Sequence, residues 1–132
     1  MNELVHTSLD ELIQRETSKG KPTQENYAEA LPSILWYARI TGKADNWVEL
    51  SKITGINTSI YHRVVSGEWK YKSDGKGSKI PIKRAEQPQK TYEATLKSLG
   101  LNKTIDPRVW TLTHGFMSDF YKNYIGRASV LT

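Results

Sequence analysis

The chain contains no cysteine. That excludes a disulfide framework, a cysteine zinc site and a thiol nucleophile, and it suits a reducing compartment. No apolar run approaches the roughly 20 residues needed to cross a bilayer. The opening segment MNELVHTSLDEL has neither the basic start nor the apolar stretch of a signal peptide. A soluble, cytoplasmic protein is expected. Histidine is scarce, and His6, His62 and His114 stand far apart without the paired spacing of a metal site. The glycines of Asp74-Gly75-Lys76-Gly77 do not form a phosphate loop, because the terminal Lys-Ser/Thr and the following helix are missing. No Ser-His-Asp arrangement has supporting context. Asp45 with Glu49-x-x-Lys52 faintly matches a nuclease acid–lysine pattern, but caps and helix surface account for those residues. No enzyme and no cofactor are expected.

What is present points to one small folded unit. The chain has 132 residues, of which 37% are hydrophobic and 25% charged. That apolar share is below the usual one, yet too high for a disordered chain. Four Trp, seven Tyr and two Phe can fill a small core. There is no internal repeat and no low-complexity segment. The net charge is +5, and its location matters more than its size. Residues 69 to 84 hold Lys70, Lys72, Lys76, Lys79, Lys83 and Arg84 against Asp74 alone, an excess of +5. The remainder holds 13 basic and 13 acidic residues, which cancel. A focused patch of this sign attracts a polyanion.

The hydrophobic periodicity predicts a mainly helical fold. Ser8-Leu9-Asp10-Glu11 has the form of a capping box, and Leu9, Leu12 and Ile13 then mark one stripe. Gly20 and Pro22 stop that helix. Thr23 begins the next, where Tyr27, Ala30, Leu31, Ile34, Leu35 and Ala38 recur at spacings of three and four. Pro32 inside this pattern predicts a kink or a restart near Leu31. Asn46 is a cap for a third helix, with Glu49 reaching back and Val48, Leu50 and Ile53 facing inward. Asn57 caps a fourth, which ends at Gly67. The period then changes to alternation over 68–72 and 79–83, with a Ser-Asp-Gly-Lys-Gly-Ser turn between, which predicts a β-hairpin. Pro81 confines its strand to an edge or a bulge. Residues 89–99 form a further helix with Tyr92, Thr95, Leu96 and Leu99 on one face. LNKTIDPRVW reads as a connector, and Thr113 to Ile125 as a final helix with Phe116, Met117, Phe120, Tyr121 and Tyr124 on an apolar face.

Residues 47–67, WVELSKITGINTSIYHRVVSG, carry the strongest motif. A small residue, a glycine four positions on, a polar cap two beyond, and apolar residues six and nine past the glycine are Ser51, Gly55, Asn57, Tyr61 and Val64. Leu50 and Ile56 occupy buried apolar places of the pattern, and Arg63-Val64-Val65 matches a common ending. This segment resembles the helix-turn-helix of lambda-repressor-like and lac-repressor-like regulators. Ser51 stands where alanine is usual, and Tyr61 where valine or isoleucine is usual. The match covers about 21 of the 132 residues.

The resemblance implies a helix that enters the DNA major groove. Thr58, Ser59, His62, Arg63 and Ser66 would then read bases, Arg63 by a bidentate pair with guanine. Asn57 and the hairpin residues Lys70, Lys72, Lys76, Lys79, Lys83 and Arg84 would contact phosphates, as in winged helix-turn-helix proteins. The expected architecture is mainly α: an N-terminal helical arm over 1–22, a helix-turn-helix domain with a basic β-hairpin (wing) over 23–85, and a C-terminal helical region over 86–132 packed on the same core. The expected function is sequence-specific binding of double-stranded DNA as a homodimer, by a small cytoplasmic, nucleoid-associated transcriptional regulator of a phage or plasmid. A replication, partition or packaging factor recognising a specific site is one alternative. A protein-interaction adaptor using the hairpin and the C-terminal helix is another.

Overall fold

The computed structural model describes residues 2–82, 86–114 and 118–130. Its elements run α1 (Asn2–Thr17), α2 (Gln24–Ile40), α3 (Trp47–Thr54), α4 (Thr58–Val65), a 3-10 turn (Glu68–Lys70), β1 (Tyr71–Ser73), β2 (Lys79–Pro81), α5 (Gln87–Ser98), α6 (Pro107–Thr113) and α7 (Ser118–Val130). The fold is therefore mainly helical with one small antiparallel hairpin. None of the described helices is long and apolar enough to cross a membrane.

The second helix is the central strut. Thr23 caps it through a reciprocal pair with Asn26: Asn26 N–H donates to Thr23 Oγ1 at 3.2 Å, and Thr23 N–H donates to Asn26 Oδ1 at 2.9 Å. Ala30, Leu31, Ile34 and Ala38 are fully buried along its length. α3, α4, α5, α6 and α7 all pack against it. The expected restart near Pro32 does not occur, since α2 is continuous from Gln24 to Ile40. Pro32 lies on the exposed face, and the residues on either side of it are anchored in the core.

The core is continuous from Leu9 to Ile125 and is dominated by aromatic rings. Trp110 and Tyr121 are fully buried. Tyr37 meets both of them edge to face, at 5.6 Å and 6.2 Å between ring centres. Buried phenols need partners. Tyr121 Oη donates to the Ser33 carbonyl at 2.8 Å, and Trp110 Nε1 donates to Tyr92 Oη at 3.0 Å.

Several expectations are corrected. The first helix starts at Asn2, so Ser8 lies inside it rather than at its cap; the residues ahead of Ser8 contain no helix breaker. Part of the supposed connector is α6. Asp106 Oδ1 caps it by accepting from Arg108 N–H at 2.9 Å, and Pro107 sits at the first position, where its missing N–H costs nothing. Thr113 ends α6 instead of beginning the last helix, which starts at Ser118. Tyr121, Tyr124 and Ile125 of that helix are core. Phe116 and Met117 lie outside the described residues, as does the side chain of Phe120. The helix around residues 89–99 is as expected, with Tyr92, Thr95 and Leu96 fully buried and Leu99 nearly so.

Candidate nucleic-acid interface

Residues 46–82 build the most chemically distinctive surface, and local sequence explains most of its shape. Asn46 Oδ1 accepts from Glu49 N–H at 2.9 Å, which starts α3. Glu49 reaches back one residue further than expected, to Asp45 N–H at 3.4 Å. Gly55 ends α3 at φ 76°, a left-handed conformation that L side chains rarely adopt. Asn57 Oδ1 then accepts from Ser59 N–H at 2.9 Å and starts α4.

Only one of the three α3 residues expected to face inward does so. Leu50 is fully buried, whereas Val48 is 55% and Ile53 43% exposed. An eight-residue helix beginning at Trp47 puts positions 47, 50, 51 and 54 on one face. Trp47 accordingly stacks on Tyr61, 5.1 Å between ring centres. Tyr61 is fully buried. Its hydroxyl lies 3.0 Å from Thr54 Oγ1 and 2.7 Å from Thr95 Oγ1, joining α3, α4 and α5. Burial raises the Tyr61 pKa above its ordinary value. Ser51 Oγ is buried and finds no hydrogen-bond partner among the described residues.

The fourth helix presents a polar stripe to solvent. Ser59, His62 and Ser66 are exposed at spacings of three and four, Asn57 is exposed ahead of them, and Thr58 is half-buried. Val65 is 42% exposed beside this stripe. Its position three residues after His62 was the signal available in the sequence.

Arg63 does not point along the stripe. Its Nε donates to Gln87 Oε1 at 3.2 Å, and its Nη2 donates to the carbonyl of Tyr71. One guanidinium therefore joins the end of α4, the start of β1 and the first residue of α5. Nothing local marks Gln87 as its partner.

After Gly67, at φ 86°, the chain makes the 3-10 turn and buries Trp69 in the core. The alternation over 68–72 thus begins as a helical turn, because Trp69 is drawn inward. β1 and β2 pair with Tyr71 opposite Pro81, Lys72 opposite Ile80 and Ser73 opposite Lys79. Ile82 N–H donates to the Lys70 carbonyl at 2.7 Å and extends the ladder. Asp74, the lone acid of the basic block, holds the turn. Its Oδ1 accepts from Lys76 N–H at 2.7 Å and Ser78 N–H at 3.0 Å. Its carboxylate is turned into the loop, and Lys72, Lys76 and Lys79 are exposed around it. Lys70 instead turns toward α2, 3.2 Å from Glu25, with its ammonium 5.5 Å from the centre of the Trp69 ring. Lys83 and Arg84 lie outside the described residues.

A cleft of about 260 Å³ beside the hairpin is lined by Glu68, Tyr71, Lys72, Ser73 and Lys79, and Arg63 is its one lining residue from α4. Of the twelve residues expected to meet DNA, Asn57, Ser59, His62 and Ser66 are exposed on or beside α4, and Lys72, Lys76 and Lys79 are exposed on the hairpin. Among the described residues, no three His, Asp or Glu are grouped to hold a metal ion. Comparison with protein-family models, curated proteins and solved structures gave no match.

Proposed function

We propose that the chain binds double-stranded DNA through α3, Gly55 and α4 acting as a helix-turn-helix, with the hairpin as a basic wing. The observation that carries the reading is the pairing of an exposed polar stripe, Ser59, His62 and Ser66, with a hairpin that holds exposed lysines. The stripe offers short hydroxyl and imidazole groups at the spacing a groove-inserted helix needs. The hairpin offers point charges to the flanking phosphates, which set affinity and register without specifying sequence. Asn57 and the first amides of α4 suit a phosphate at the helix start. A single reading helix contacts few base pairs, so a symmetric dimer on an inverted repeat is part of the proposal. The role is transcriptional regulation in the cytoplasm, on the nucleoid.

The test is selection from a random duplex library at two salt concentrations. A palindromic consensus with a steep salt dependence supports the dimeric regulator. A consensus without symmetry supports a site-specific replication or packaging factor, and salt-sensitive binding without consensus leaves only the electrostatic part of the reading. No binding at either salt refutes it in favour of a protein-interaction adaptor.

A further inference from the structure

We infer that Arg63 is a positioning residue, which fixes the angle of the hairpin against α4, and that it is not a base reader. The inference rests on the DNA-binding reading and deepens it. Arg63 is half-buried, with Nε on the Gln87 side chain and Nη2 on the Tyr71 carbonyl. Tyr71 is the first residue of β1, and Gln87 the first of α5. The planar guanidinium is a rigid fork, so two donors in fixed geometry set the direction of the strand that leaves this point. Among the described residues, the hairpin base is also held by the Trp69 side chain in the core, the Lys70–Glu25 ion pair and the Ile82 bond to the Lys70 carbonyl. None of these is a hydrogen bond from a side chain of α4. If Arg63 turned to a guanine, that link would open at the moment the hairpin must bear on the same duplex. Keeping Arg63 in place lets α4 and the lysines of the hairpin meet one duplex in one geometry. Sequence is then read by the exposed stripe.

The experiment compares the full chain with Arg63→Ala, Arg63→Lys, Gln87→Leu, the pair Lys76→Ala with Lys79→Ala, and that pair combined with Arg63→Ala. Affinity is measured for the selected duplex and a random duplex across salt. Backbone amide exchange is measured without DNA. Removing two phosphate contacts lowers the salt slope by about 1.8. Arg63→Ala is expected to lower the slope in the same direction, to weaken both duplexes by the same factor, and to leave the base preference unchanged. Added to the lysine pair, it should cost less than about two-fold more, because residues acting as one unit are not additive. Arg63→Lys should fail to rescue, since an ammonium cannot reproduce the fork. Gln87→Leu should shift the slope the same way while leaving α4 intact. In the free protein, the Ile82 amide should exchange faster in both Arg63 variants.

A changed preference at one base position with an unaltered slope would make Arg63 a reader and overturn the inference. Full additivity with the lysine pair, or unchanged Ile82 exchange, would also overturn it. If the wild-type chain binds neither duplex, the DNA-binding reading falls, and with it the claim that the hairpin angle serves DNA. Faster Ile82 exchange in such a chain would still show Arg63 holding the hairpin, so the two failures are distinguishable.

Discussion

Replacing Ser51 by alanine is expected to make the protein more stable. Ser51 lies inside α3, and its Oγ is buried with no hydrogen-bond partner among the described residues. Serine in a helix usually returns its hydroxyl to the carbonyl one turn back, and here it does not. A buried hydroxyl that has left water and found nothing costs about 1–3 kcal/mol. Alanine is also the better helix former, by roughly 0.5 kcal/mol. Against these gains stand the lost dispersion contacts of one oxygen, at about 0.1–0.2 kcal/mol each. Taking the low end of the hydroxyl cost, the net is a stabilisation of about 1 kcal/mol. With an unfolding entropy of about 2.1 cal/mol/K per residue over the 132-residue chain, that raises Tm by roughly 4 °C. Thermal and urea unfolding followed by circular dichroism measure it, and the urea slope should not change. A lowered Tm would refute the reasoning: it would mean that the hydroxyl is satisfied by a bound water whose bonds outweigh the propensity gain.

Tyr61→Phe should destabilise by about 1–2 kcal/mol in the same assay, because Thr95 Oγ1 already donates to the Thr91 carbonyl and loses the donor that fills its lone pair. Arg108 donates to the carbonyls of Glu16, Thr17 and Gly20 while chelating Asp106. Arg108→Ala should therefore speed amide exchange in the last turn of α1 and cost about 1.5–3 kcal/mol, with no rescue by lysine. Tyr92, Tyr121 and Tyr124 are held above their ordinary pKa, first of all by burial. The folded state then binds these protons more tightly than the unfolded one, so their contribution is complete below about pH 10 and is lost as pH rises beyond it. Tyrosinate absorbance should appear for these three in one cooperative step that coincides with alkaline unfolding. A gradual titration ahead of unfolding contradicts their burial.

The caps and turns of this protein are legible in its sequence because the interactions that make them are short. Thr23, Asn46 and Asn57 each bond an amide two or three residues ahead, and Gly55 and Gly67 take the left-handed conformations their places require. The inward face of α5 follows from the helical repeat alone. The shortest elements were harder to read. α6 spans two turns and opens with Asp-Pro, a pair that marks a turn as readily as a helix start. The inward face of α3 differs from the expected one because eight residues give a periodicity count too few members to choose between neighbouring faces.

What the sequence by itself determined was the mainly helical architecture, the order of its principal elements, the hairpin and the net positive excess of the block over 69–84. The direction of the long polar side chains was decided by the tertiary structure. Arg63 turns to Gln87, 24 positions away, and Lys70 to Glu25 on another helix. Trp69 leaves the strand pattern for a core built from both ends of the chain. A flexible side chain settles on whichever acceptor the packed neighbours bring within reach, and that choice exists only once distant segments have met.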